Sequence, residues 1–589
     1  MSQSDTLTIN PLITDHIDIW TSSILAKSTS GRGSSKKYEL YGITKLRELI
    51  LELAVRGKLV PQDPNDEPAS VLLEKIAAEK SQLVKEGKIK KAKPLAYISK
   101  DEKLFDLPGG WEWCKLGNIA SYGNPFKAES DTVKLTTWIL ELEDIEKGTS
   151  RLLNKIRFSE RQFKSTKNVF SENDVLYGKL RPYLDKVIVA DESGVCTTEI
   201  IPITCHDKLL PHYLRYFLKS PNFIEYANSS THGMSLPRLG TDKAVNSIIA
   251  LPPVKEQHRI VAKVDELMQL CDDLEQQTEA SIGAHATLVE VLLTTLTDSA
   301  DANELAQNWA RLSENFDSLF TTEQSIEAFK QTALQLAVMG KLVPQDPNDE
   351  PASVLLERID EEKSRLVKEK KIKRAKPLPL IDDDEKPFKL PRGWEWCKLG
   401  NLAPQFQNGA SSRGDKEGKP ITVLRLADIK NWQISLADTR TLPISPSSID
   451  RYLLADSDIL IIRVNGSADI VGRFITCKRN YDAIYCDHFI RMRFPIISFS
   501  PDYLFLLGSS NLVRDRISDL FISTAGQKTV NQGHLSSLVI PLPPLAEQHR
   551  IVAKVDELMQ ICDQIKDKLQ QSQTTQVQLT DALVEQALA

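Results

Sequence analysis

The chain has 589 residues, 41% of them hydrophobic and 26% charged, and a net charge of −6 at pH 7. At roughly 150 residues per domain this makes about four domain-sized units, and it excludes a small stapled module, a collagen-like chain and a disordered acidic protein. The opening Met1 to Thr6 is polar and no run of about 18 apolar residues occurs, so the expected location is the cytoplasm.

The N-terminal region, 1–118, begins with an extension containing Asp15 to Leu25, followed by Leu53 to Ile76 (LAVRGKLVPQDPNDEPASVLLEKI). Next come a basic tract, Lys85 to Pro94, and the block Gly110 to Asn118 (GWEWCKLGN). The tract reads either as a set of phosphate contacts or as a solvated linker. The following segment, 119–250, carries 17 Lys/Arg against 16 Asp/Glu, and within it Arg151 to Lys186 has nine basic residues against four acidic. That stretch predicts a phosphate-facing stripe or, alternatively, a solvated face. A short apolar strand, Asp174 to Tyr177, leads into the basic loop Gly178 to Tyr183, and Ser230 to Met234 lies near the segment's end.

The central region, 251–401, opens with Leu251-Pro252-Pro253, prolines well placed before a helix start. Ile260, Val264, Leu267, Cys271 and Leu274 then follow at steps of 4, 3, 4 and 3, a heptad seam. A helix from Glu256 to about Leu296 would be roughly 60 Å long. Leu336 to Ile359 matches Leu53 to Ile76 at 22 of 24 positions, and Gly393 to Asn401 is an identical copy of GWEWCKLGN, both at an offset of 283. A second basic tract, Lys368 to Pro377, lies between them.

Segment 402–541 has little residue-by-residue similarity to 119–250, although it too has a strand, Asp458 to Ile462, leading into a polar loop, Arg463 to Ser467. Ser523 to Lys528 lies near its end. The final region, 542–589, repeats Glu256 to Gln269 identically as Glu547 to Gln560, now at an offset of 291, and continues the seam through Ile551, Val555, Leu558, Cys562, Ile565 and Leu569.

Two different heads therefore sit on one duplicated frame. The central region is a complete frame unit, while the two ends each supply half of one. If the termini meet in space, the expected fold is α/β: two mixed α/β heads joined by long antiparallel coiled-coil helices in a pseudo-twofold circular arrangement. A coiled coil between separate chains is the alternative, and duplication within one chain favours the internal pair.

Arg and Lys can pair with guanine, and Asn and Gln with adenine, in a major groove. On that basis the candidate DNA-binding residues are Lys179, Arg181, His232 and Arg238 in the first head and Arg463, Asn465, Gln527 and Lys528 in the second; each reads alternatively as part of a fold-structuring turn. No Gly-Lys pair is followed by Ser or Thr, so no ATP loop is visible. Neither Pro-Pro pair has an adenine-methylase context, and no Pro-Asp is followed by Glu-x-Lys. Eight cysteines without a Cys-x-x-Cys pair read as buried thiols. Cys205, His206 and His212, and Cys486, Asp487 and His488, lack zinc-like spacing, so no metal site is expected. His258 and His549, repeated at helix starts, imply packing or contact with a repeated partner.

Dissimilar heads bracketed by PPxxEQHRIVAKVDELMQ and GWEWCKLG blocks make the chain resemble the specificity subunit of type I restriction-modification enzymes. The N-terminal extension and the LAVxGKLVPQDPNDEPAS block make it most like the type IB (EcoAI-like) branch. The resemblance implies that each head is a target recognition domain reading half of a bipartite double-stranded DNA site, with the helices setting the unread spacer. It also implies a non-catalytic chain on whose duplicated frame two methyltransferase subunits dock and which two restriction subunits join; the EQHRIVAKVDELMQ helices and Asp15 to Leu25 are candidate docking surfaces, their apolar residues reading alternatively as ordinary core. S-adenosylmethionine, ATP and Mg would then belong to those partners. Two other readings stand beside it: a coiled-coil scaffold with protein-binding heads, and a stand-alone nuclease or methyltransferase.

Overall fold

The computed structural model describes residues 9–26, 38–87, 89, 94–124, 126–232, 236–374, 376–411, 418–430, 432–495, 499–524 and 526–589. Gly233, Met234, Ala525 and half of the tract Lys85 to Pro94 lie outside them. The chain divides into two compact units, one formed by Met1–Ser281 with Gln571–Ala589 and the other by Ile282–Gln570. Both boundaries fall inside long helices, Val254–Asp298 and Leu545–Leu588, so neither coincides with a head boundary.

In the first unit, the helix Tyr41–Val55 buries Ile43, Leu46, Leu49, Ile50 and Leu53. Its positions at steps of three and four make one apolar stripe. The helix stops at Gly57, which takes φ +68° and where a Cβ would lie 2.5 Å from the Pro108 side chain; only glycine accepts both conditions. The duplicate, Gly340, has φ +71° and the same 2.5 Å approach to Pro391. A second helix, Ala69–Lys85, follows.

The heptad seam is buried as its period requires: Ile260, Val264, Leu267, Cys271 and Leu274 in the first unit, and Ile551, Val555, Leu558 and Cys562 in the second. In the second unit Leu558 and Cys562 join Val289, Leu293 and Leu296 of the other long helix and Phe329, Ala333 and Leu336 of the helix Glu323–Val338 in one cluster. Each fully buried leucine of this kind contributes about 2 kcal/mol. In the first unit Arg47 reaches Asp272 (2.5 Å) and Glu275 (2.7 Å) on the first long helix, while the Tyr41 hydroxyl donates to Asp581 (2.7 Å) on the second. The front part of each long helix thus shares a unit with the rear part of the other, the pairing that antiparallel helices require.

The duplication extends to single polar contacts. Lys330 meets Asp563 at 2.8 Å, repeating the pairing of Arg47 with Asp272. Lys341 donates to the carbonyls of Thr297 (2.6 Å) and Ser299 (3.0 Å), and Lys58 donates to that of Leu588 (2.9 Å). Each lysine thereby satisfies orphan carbonyls at the end of a long helix, where a cation is favoured. The termini do meet: Ser23 Oγ lies 2.6 Å from Thr580 Oγ1, beside Trp20, which is fully buried.

One 18-residue window of Val254–Asp298, mean hydropathy 1.3, is long and apolar enough by composition to cross a membrane. Its apolar residues divide between two faces. Val289, Leu293 and Leu296 are buried in the cluster above, whereas Leu288 and Val291 are 51% and 54% exposed.

The two heads share a topology that their sequences conceal. The first has a four-stranded antiparallel sheet ordered Val187–Val189, Val175–Gly178, Ile200–Cys205 and Ala120–Tyr122. The second has the same order as Phe474–Thr476, Ile459–Ile462, Phe489–Arg493 and Gln405–Asn408. A further sheet in each contains one parallel pair, Gly194–Cys196 with Trp138–Leu140 and Ala483–Tyr485 with Lys419–Leu424. Helices Pro211–Leu218 and Pro221–Ser229 correspond to Pro501–Ser509 and Asn511–Asp519. Each head is closed at its base by an antiparallel pair, Glu112–Lys115 with Ile248–Leu251 and Glu395–Lys398 with Val539–Leu542.

Candidate functional site

The expected strands at Asp174 to Tyr177 and Asp458 to Ile462 form as Val175–Gly178 and Ile459–Ile462. Each is preceded by a buried aspartate: Asp174 accepts from the Ser171 amide (2.8 Å) and the Thr204 hydroxyl (2.7 Å), and Asp458 takes two 2.6 Å bonds from Arg493. These contacts fix where each strand begins.

The next residue is a cation in both heads, and the two occupy equivalent places. The Lys179 amide donates to the Glu199 carbonyl (3.0 Å) and its carbonyl accepts from Leu239 (3.0 Å). The Arg463 amide donates to the His488 carbonyl (2.7 Å) and its carbonyl accepts from Val530 (3.0 Å). Each cation therefore stands where the main sheet meets a small hairpin.

In the first head Leu180 bridges Arg238, and Arg238 pairs with His232 across the hairpin Thr231–His232 with Arg238–Leu239. In the second, Val464–Asn465 pairs with Gln527–Thr529, which pairs in turn with Ile522–Thr524. All eight candidate residues thus fall into two backbone clusters, four on each head.

Their side chains differ in how far they are committed. Arg238 gives Nε to Glu199 at 2.9 Å, and the Asn465 carbonyl oxygen accepts the Ser467 amide at 2.9 Å, a local turn contact. Arg181 holds a left-handed backbone, φ +52°, and its amide donates to the Pro237 carbonyl at 2.7 Å. Gln527 is exposed and Lys179, Arg463 and Lys528 are half-buried. Two arginines that the sequence does not single out stand beside the loop after Arg463: Arg473 within it, and Arg514 on the helix Asn511–Asp519, brought there only by the fold.

The basic stripe expected over Arg151 to Lys186 is largely neutralised. Arg151 pairs with Glu146 (3.0 Å), Lys155 with Asp191 (2.8 Å), Arg161 with Asp144 (2.5 Å), Arg157 with Glu192 and Lys167 with Glu141. All five of these partners lie outside 151–186 in sequence, Glu141, Asp144 and Glu146 before it and Asp191 and Glu192 just beyond its end. Lys164 and Lys179 have no such partner among the described residues.

Among the expected non-sites, His206 contacts the Ser121 hydroxyl at 2.8 Å, and burial lowers the basicity of both His206 and His212. The ligand atoms of Cys486, Asp487 and His488 lie within 4.8 Å of one another. Burial pushes the Cys486 thiol up to about 11, so the free thiol is protonated at neutral pH. His258 and His549 are exposed in both copies, which removes the packing role and leaves a repeated outer surface.

Comparison with known proteins follows the same architecture. A family model described as the type I restriction modification DNA specificity domain matches residues 108–284 and 391–572, each span running from a head's base strand into a long helix. The type I restriction enzyme EcoEI specificity subunit of Escherichia coli is 43% identical over 598 residues, covering 99% of this chain and 100% of that protein. The EcoAI specificity subunit of Escherichia coli is 42% identical over 604 residues with the same coverage. A solved chain from work on complex assembly and conformational transition of the type I R-M system superposes with a TM-score of 0.50 at 19% identity, over 82% of this chain and 99% of that one; this is a likeness of fold.

Proposed function

Because the chain belongs to the family of type I restriction-modification DNA specificity subunits, we propose that its heads, 119–250 and 402–541, each read one half of a split double-stranded DNA site. The observation that carries this reading is the equivalence of Lys179 and Arg463. Two loops of unrelated sequence place a cation at the same junction of sheet and hairpin, among side chains able to meet base edges. Two similar scaffolds with different loops suit two different half-sites.

The frame supplies the rest of the proposal. Each long helix spans about 65 Å at 1.5 Å per residue, longer than one turn of DNA, about 34 Å, and so serves to set the unread spacer. Leu288 and Leu579 occupy the same repeat position, separated by 291 residues, and are 51% and 46% exposed. A duplicated, solvent-facing leucine suits a duplicated partner, so two methyltransferase subunits dock on these helices and two restriction subunits join the assembly. The chain selects the site; adenine methylation with S-adenosylmethionine and ATP- and Mg-dependent restriction fall to the partners.

The test is base-edge loss at one half-site. Arg463→Ala, assembled with methyltransferase subunits, weakens binding to the second half-site by about 1–3 kcal/mol while leaving the first unchanged. Arg181→Ala does the reverse. Unchanged binding and methylation in both variants would remove these loops from DNA reading.

A further inference from the structure

Beside the second head's hairpin stands an exposed tryptophan in a costly backbone conformation. Strands Ile429–Lys430 and Gln433–Ile434 pair Lys430 with Gln433, and Trp432, in the connection between them, has φ +60°. Bulky L-residues rarely enter that region, and such strain concentrates at functional sites. Burial does not account for the residue, since it is 42% exposed.

What the indole does contact is a fixed cation. The Arg473 guanidinium lies 4.4 Å from the indole ring centroid, and its Nε donates to the Asp469 carbonyl at 2.7 Å. The Arg473 carbonyl accepts from the Ile462 amide at 3.0 Å, one residue before Arg463. Arg514 braces the same loop, donating to the carbonyls of Val471 (2.8 Å) and Ala468 (2.9 Å). Burial, and then the charge of Arg473, lower Arg514 to about 10, so it stays cationic at neutral pH.

The kind of partner each arginine has is the decisive point. Arg463, Arg473 and Arg514 give their N–H groups to main-chain carbonyls, and among the described residues none has a carboxylate within ion-pair distance. A carbonyl holds a guanidinium in place without cancelling its charge. In the first head the cations of Arg151 to Lys167 are mostly cancelled by carboxylates. Cations held by carbonyls and outside ion-pair distance of any described carboxylate, with Asp469 acting on Arg473 and Arg514 only from further away, are what a nucleic-acid backbone meets favourably beside a flat apolar face.

We propose that Trp432 is a DNA-contacting residue of the second head, its indole packing against sugar and base edge at the margin of that head's half-site while Arg473 and Arg514 face adjacent phosphates. The proposal rests on the reading of the heads as DNA readers. Glycine relieves the positive φ and deletes the indole, so Trp432→Gly separates folding from binding.

The experiment uses the chain assembled with its methyltransferase subunits and two duplexes, one with both mapped half-sites and one with the second half-site scrambled. The expected result is that W432G melts no lower than wild type, keeps its subunits, and binds the intact duplex about tenfold or more weakly, with little change on the scrambled one. If wild type itself does not distinguish the duplexes, the reading of the second head fails irrespective of Trp432. If wild type distinguishes them and W432G does so equally well, the role of Trp432 is overturned. Equal loss on both duplexes with a lowered melting temperature would make the indole structural, and loss of the methyltransferase subunits with DNA binding intact would make this a protein interface; either overturns the proposal.

Discussion

Glu547 shows how closely single residues follow the duplication. Its carboxylate accepts from the indole of Trp394 at 2.9 Å and from Gln345 at 3.1 Å, and Glu256 accepts from Trp111 at 3.0 Å in the other copy. Burial raises the Glu547 carboxyl above its ordinary range, against the lowering effect of those bonds. A carboxyl whose folded pKa is raised keeps its proton longer when folded, so its contribution is largest below the unfolded value of about 4.3 and declines as pH rises through the folded value. Glu547→Gln mimics the protonated form. Its melting temperature should exceed wild type at pH 7, with the difference shrinking toward pH 4; a difference independent of pH would contradict the assignment. The sequence displayed the repeated Trp and Glu but not their bond, because 153 residues separate the partners. Lys179 and Arg463 were legible as cations after a strand, whereas their equivalence depended on Leu239 and Val530, 60 or more positions away. The commitment of Arg238 to Glu199 was hidden for the same reason.

At the scale of elements, the long helices were the most legible part. Steps of four and three name the buried stripe without further information, and Ile260 through Leu274 and Ile551 through Cys562 are buried accordingly. Past the polar stretch periodicity misleads: it places Leu288 and Leu579 back in the seam, whereas Val289, Leu293 and Leu296 are the buried residues and Leu288, Val291 and Leu579 form an apolar edge in solvent. Leu288→Glu and Leu579→Glu place charge on that edge without touching the core. Each should leave the unfolding free energy of the chain within about 0.5 kcal/mol of wild type, the usual effect of a surface change, and reduce recovery of methyltransferase subunits in co-purification. Full recovery in the double variant would send the docking surface elsewhere. The basic stretch Arg151 to Lys186 was the misleading element, since a count along the chain omits the acids that neighbouring strands deliver to it.

At the scale of the whole molecule, net charge and function stand apart. A chain at −6 can read DNA because a partner meets a local field, and the cations held by carbonyls around Arg463 supply one. Similar topology under dissimilar sequence is the arrangement expected when a scaffold is kept and its reading loops are exchanged. The duplicated frame was visible from repeats alone, and the meeting of the termini followed from the order of the half-units, as the contact of Ser23 with Thr580 bears out. The bases read by either head were not legible, since loop residues acquire base partners only through docking geometry. The central claim is tested most directly by mapping adenine methylation at base resolution in host DNA with and without this chain, the partner subunits being expressed in both. One split motif, two short specified blocks around a fixed gap, should be methylated only when the chain is present. No difference between the two methylation maps, with all subunits verified as expressed, would contradict it.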